Sequence, residues 1–164
     1  MHNAANHGHT TLLWLDAVMV ALRDVEPVMK LIEERGYLLW SHPPGEWTVG
    51  AYTSDACLSH YRIGRESAFD MEMLCSGVFG YSLKHPVGRQ LHEAFIEAPA
   101  VALQGTGHNI DHGVSTDRRV LGHRHDQSVL SILAHRMGLA LSPTPTPVAF
   151  TGHVSTTTTF VHRP

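Results

Sequence analysis

Residues 11–40, TLLWLDAVMVALRDVEPVMKLIEERGYLLW, limit the folds open to this chain more than any other segment. Four of the first five are apolar, a run too short for a helix that stops at Asp16, so it reads as a buried strand with a polar exit. A helix follows, with Asp24 as its N-cap, Pro27 in the first turn, and Val25, Val28, Met29 and Ile32 along one face. Gly36 supplies its stop, and residues 37–40 form a second apolar strand. Two strands joined through a helix run parallel by a right-handed crossover. The expected class is therefore α/β, a mixed sheet with flanking helices.

Downstream, Pro43, Pro44 and Gly45 break regular structure, and Ser54 with Asp55 caps a short helix through Cys57, Leu58 and Tyr61 that ends near Gly64. Residues 71–83 read as a strand with Cys75-Ser76-Gly77 in its middle and a second glycine at Gly80, a pattern that marks a bulge or a close approach by a ligand. Pro86 opens a helix with Leu91, Phe95 and Ile96 inward, closed at Pro99. The glycine-rich polar stretch 104–121 has the length of a functional or mobile loop. It leads into GHRHDQSVLS at 122–131, where Asp126 is the expected N-cap of a helix with Val129, Leu130, Ile132, Leu133 and Met137 on its apolar side and Gly138 as its stop. After the proline- and threonine-rich residues 142–147, the tail ends in a predicted edge strand.

At 164 residues the chain suits a single domain spanning 1–164. A net charge of −3 with scattered basic residues excludes the field that nucleic acid or anionic lipid requires. The 14 histidines make the charge rise steeply below about pH 6.5. Cys57 and Cys75 have neither metal spacing nor disulfide density, which fits a reducing compartment. The N-terminus lacks the blocks of a signal peptide, and no apolar run approaches the roughly 18 residues of a membrane span. A cytoplasmic location is the resulting expectation.

Two places carry potential chemistry. Asp16 ends a strand, where open α/β sheets gather ligands and where a carboxylate holds a divalent cation or a phosphate-bound metal. The His123-Arg124-His125 pair invites a zinc site, and with it a hydrolase, although Gln127 stands where a further ligand would help. The histidines of the polar loop, His108 and His112 with Asp111, are a weaker cluster. Cys75 has no sequence-adjacent base, so it reads as packing.

Taken in order, LLWLDA, RDVEPVMKLIEERGY, MLCSGVFGYSL and HRHDQSVLSILAHRMGL resemble the later part of nucleotide-sugar glycosyltransferases with the type A fold, over about residues 11–140. The resemblance implies a partial fold of that kind, without most of its N-terminal nucleotide-binding half, since ten residues precede Thr11. In that family a strand-end D-x-D motif meets metal and diphosphate; Asp16 matches its first acid, and Val18 replaces the second. The implied metal is Mn2+ or Mg2+, held by Asp16 and by a C-terminal histidine, His162, with His153 as the alternative. Ser76 and Gly77, with Arg124 and His125, match positions that bind substrate, while Asp126 and Gln127 match the catalytic ones. The implied reaction moves a sugar from a nucleotide-sugar donor to a hydroxyl acceptor, with Asp126 binding hydroxyls or acting as base. A non-catalytic remnant or carbohydrate-binding module is the alternative. An open sheet edge with apolar surface also follows, to be covered by a homodimer or a partner chain.

Overall fold

The computed structural model describes residues 1–42, 45, 47–103, 114–141, 148–150 and 159–162. Its elements are α1 (His2–Asn6), β1 (Thr11–Leu15), β2 (Met19–Ala21), α2 (Glu26–Arg35), β3 (Tyr37–Leu38), α3 (Asp55–His60), α4 (Arg65–Phe69), β4 (Val78–Ser82), α5 (Pro86–Ile96), α6 (Ala100–Leu103), α7 (Asp126–Arg136), β5 (Val148–Phe150) and β6 (Phe160–His162). The chain is α/β, with two small sheets and helices distributed over two compact units. Unit 1 comprises Met1–Ser41, Cys75–Ile96 and Ala140–Pro164; unit 2 comprises His42–Leu74 and Glu97–Leu139.

In unit 1 the first sheet has the order β1-β4-β3, and both outer strands pair antiparallel with β4. Strands β1 and β3 therefore run in the same direction, as the strand-helix-strand pattern implies, but β4 is inserted between them. Alternation along β4 builds two faces. Val78 joins Val28, Ile32, Leu38 and Trp40 in the core on the α2 side. Phe79 and Tyr81 face the other way, toward Phe95 and His92 of α5, with ring centroids 6.3 and 5.0 Å apart. The result is helix, sheet, helix.

Strand β1 was expected to be buried, and only Leu12 is; Trp14 and Leu15 remain 40% and 37% exposed. The cause is topological, since among the described residues β1 is an outer strand paired only with β4. Val18, Val20 and Leu22 continue the exposed apolar strip. The closing strand also differs from expectation. β6 is the middle strand of a second sheet, β2-β6-β5, antiparallel to β2 and parallel to β5. Residues 142–147 lie outside the described residues.

Helix α2 begins one residue later than its pattern suggested. Val25 is the N-cap, yet Asp24 still serves the helix end, accepting from the Glu26 N–H at 3.0 Å. Gly36 closes it at φ +88°. Helix α5 buries Leu91, whereas Ile96 is exposed because it falls on the last turn, away from the sheet. Its first turn sits directly on backbone. A Cβ on Gly88 would lie 2.2 Å from the Gly36 carbonyl oxygen and 2.4 Å from that of Ser82.

Unit 2 is held by α7, with loops wrapped on it. Residues Gln127 to Ala134 are all buried, so the helix is covered on every side instead of being amphipathic. Ser54 caps α3 as expected, its hydroxyl accepting from the Cys57 N–H at 3.2 Å. Of the predicted loop, residues 104–113 lie outside the described residues, and the second half is anchored. Asp55 takes the Ser115 hydroxyl at 2.8 Å and the Thr116 N–H at 3.2 Å while pairing with Arg65, and Arg119 ties Asp117 to Glu66.

Gly88→Ala forces α5 off the strand and is expected to cost about 3 kcal/mol, at the upper end for overpacking. Gly77→Ala meets nothing closer than 3.6 Å and is expected to stay within about 0.5 kcal/mol of wild type. Denaturant midpoints of the two variants measure the contrast.

Candidate functional site

The register of β1 on β4 creates the first site. Leu15 pairs with Val78, so the next residue, Asp16, falls opposite Gly77, and its N–H donates to the Gly77 carbonyl at 2.9 Å. The Asp16 carbonyl closes a turn by accepting from the Met19 N–H at 2.8 Å. Trp14, two positions back on the strand, donates its indole Nε1–H to Asp16 Oδ1 at 2.8 Å. Among the described residues, Oδ2 accepts no hydrogen bond and lies on the side of Gly77, where an added Cβ would approach to 3.7 Å. Ser76 and Gly77 occupy the turn before β4, not the middle of a strand, because pairing with β1 starts only at Val78. His162 pairs by register with Met19, three residues beyond Asp16. In unit 1, therefore, Asp16 meets Gly77, which follows Ser76 in the chain, and the His162 backbone is paired with Met19.

A hard divalent cation fits this arrangement in one respect: it binds through one or two carboxylates and fills its remaining positions with water and phosphate oxygens. Val18, 39% exposed where a second acid would stand, leaves Asp16 as the single acid of the motif. Among the described residues no group of three or more His, Cys, Asp or Glu side chains converges. His153, His108, Asp111 and His112 lie outside the described residues.

The second site, in unit 2, is the start of α7. Its N-cap is His125, not Asp126, which is the first helical residue and half-buried. His125 adopts φ +48°, a region that favours glycine, and its Nδ1–H reaches the Leu103 carbonyl at 2.9 Å. His123 is a structural tie: Nδ1 accepts from the Ser54 N–H at 3.3 Å and Nε2–H donates to the Ala102 carbonyl at 2.9 Å. A zinc site on the His123/His125 pair requires a ring nitrogen that His123 has already committed. Burial, with His125 nearby, keeps the His123 pKa below its ordinary value.

Gln127 also points inward. Its amide nitrogen donates to the Leu74 carbonyl at 2.7 Å and to His42 Nε2 at 3.0 Å. His42 stacks on Trp47 with centroids 4.4 Å apart, Tyr52 stacks on the same indole at 4.1 Å, and the Arg124 guanidinium lies 4.9 Å from its centroid. This group was missed in the sequence. The available signal was weak: an aromatic and a histidine flanking a Pro-Pro break.

Comparison of the chain with protein-family models, with curated proteins and with solved structures finds no match.

Burial, reinforced by Arg124, lowers the His42 pKa from 6.5 to about 4. Between those values the unfolded chain takes up a proton that the folded chain refuses, so stability falls as pH drops through 6.5 toward 4 and changes no further below that. At about 1.4 kcal/mol per pKa unit, the loss is of the order of 3 kcal/mol. Urea midpoints of wild type and His42→Phe between neutral and acid pH test the assignment. The variant should be less stable at neutral pH and show a flatter slope; an unchanged slope refutes it.

Proposed function

We propose that this chain is a glycosyltransferase-like domain of the type A kind, acting in metal-assisted transfer of a sugar from a nucleotide-sugar donor to a hydroxyl acceptor. The observation that carries the reading is Asp16 at the exit of β1, one carboxylate oxygen held by Trp14 and the other turned toward the gap at Gly77. Asp16, with His162 as second ligand, would hold Mn2+ or Mg2+, which supplies charge neutralisation on the leaving diphosphate. Ser76 and Gly77 border the donor. For unit 2 the roles come from the resemblance alone: Asp126 for sugar or acceptor hydroxyls, as base if the outcome is inverting, and Arg124 and His125 for phosphate charge. Gln127 acts through His42, holding the Trp47 stack in place.

A non-catalytic nucleotide-sugar or carbohydrate-binding module is the second reading. It is favoured by Val18 in place of the second acid and by a Gln127 amide spent within the protein. The strip formed by Trp14, Leu15, Val18, Val20 and Leu22 is the surface a second copy or a partner chain would cover. No described helix is long and apolar enough to cross a membrane.

Calorimetric titration with uridine and guanosine diphosphates, with and without Mn2+, tests the donor site. Wild type is expected to bind one of them in a Mn2+-dependent manner. Asp16→Ala should weaken that binding by roughly tenfold or more, and Gly77→Ala should weaken it while the fold is retained. Absence of nucleotide binding by the folded wild type overturns the transferase reading and the nucleotide-sugar form of the second, leaving only a carbohydrate-binding module. Binding without sugar transfer from the matching donor selects the module.

A further inference from the structure

The space above Gly77 is bordered by three metal-binding atoms of different hardness. A Cβ placed on this residue would have as its nearest neighbours Met19 Sδ at 3.6 Å, Asp16 Oδ2 at 3.7 Å and Cys75 Sγ at 3.9 Å. Gly77 is not among the residues with positive φ, so the backbone does not demand glycine there. What the missing side chain provides is the gap between a carboxylate, a thiol and a thioether.

Each donor stands on fixed backbone. The Cys75 N–H donates to the Trp40 carbonyl at 2.8 Å, and the Cys75 carbonyl accepts the Trp40 indole N–H at 2.8 Å. Met19 is held by the Asp16 turn and by pairing with β6. Asp16 is fixed at its N–H by Gly77 and at Oδ1 by Trp14. A carboxylate with one oxygen oriented by a ring N–H and the other facing an opening is how outer hydrogen bonds orient a metal ligand.

We infer that Asp16 Oδ2 and Cys75 Sγ together bind a thiophilic divalent cation of the zinc class at the Gly77 gap, with the Met19 thioether along its third side. Zinc-ligand lengths of about 2.0–2.3 Å require the Asp16 and Cys75 side chains to turn inward, while their backbones stay in place. On binding, the Sγ–H bond breaks, the sulfur–metal bond forms, and one proton passes to solvent for each ion bound. Thiolate and carboxylate together balance the charge of the ion and leave coordination positions open. The thiolate thereby supplies the second negative ligand that Val18 cannot. This deepens the metal-assisted reading, on which its functional meaning rests, and shifts the preferred ion from Mg2+ toward the zinc class, because a thiolate favours softer ions.

Cys57 provides an internal control. It is fully buried, out of reach of an ion in solution, and burial pushes its pKa up to about 12.

The test titrates the full chain with Cd2+, following the ultraviolet thiolate-to-metal charge-transfer band and proton release. Wild type and Cys57→Ser are expected to show the band with one proton released per ion. Cys75→Ser should lose the band and bind Cd2+ roughly tenfold or more weakly, and Gly77→Ala should do the same with both thiols intact. Near-ultraviolet circular dichroism checks each variant's fold; if Cys75→Ser unfolds, Gly77→Ala decides. A wild type without the band, or a band that survives in folded Cys75→Ser or Gly77→Ala, overturns the inference. Mn2+-dependent nucleotide binding on the same samples is read independently, so failure of this site is distinguishable from failure of the donor-site reading.

Discussion

Strand β4 of unit 1 must serve two helices with opposite faces of one backbone. On the α2 side it presents Gly80, where a Cβ would lie 2.6 Å from Ile32 Cδ1 and 2.7 Å from the Leu12 carbonyl oxygen. On the α5 side it presents Phe79 and Tyr81, whose rings fill the space beneath that helix. One face therefore allows close backbone approach and the other carries bulk. Burial raises the Tyr81 pKa to about 12 and keeps the phenol neutral, as an apolar layer requires. The same register that seats β1 on β4 sets Asp16 against Gly77, so the position of the acid is a consequence of core packing.

In unit 2, buried polar side chains take over work that sheet hydrogen bonds perform in unit 1. Ser131 receives the Leu74 N–H at 3.0 Å and donates back to the Gln127 carbonyl, while Ser128 donates to the Tyr52 carbonyl at 2.7 Å. His123 ties α3 to α6 in the same way. Irregular backbone can be buried only when its N–H and C=O groups find such partners. Gln127, Ser128 and Ser131 of the DQSVLS segment are polar and buried because they satisfy such loops.

Local features were legible in the sequence. Gly36 as a left-handed stop, Ser54 as a cap and the extent of α7 each depend on residues within a few positions of one another. The insertion of β4 between β1 and β3 was not legible, because pairing partners far apart in the chain leave no periodic trace. The two glycines of the 71–83 stretch look alike in the sequence and differ in the structure. Gly80 admits the protein's own helix, and Gly77 borders a gap lined by possible ligands. The pairing of Gln127 with His42 was not legible for a related reason: a buried amide–imidazole pair has the composition of a solvated surface.

The opening of α7 divides its residues by direction. His123, Gln127 and Ser128 direct their polar atoms to backbone and to His42, while His125 and Asp126 are half-buried at the helix start. His125 pays for its place with a positive φ, a strain of about 1–3 kcal/mol for a residue other than glycine. Its bond to Leu103 fixes Nδ1 as donor, so in the neutral ring Nε2 is the acceptor. A glycine at this position would relieve the strain but present no ring. The strain is thus held at a residue whose ring nitrogen closes the bond to Leu103, so the turn into α7 is built around the His125 side chain.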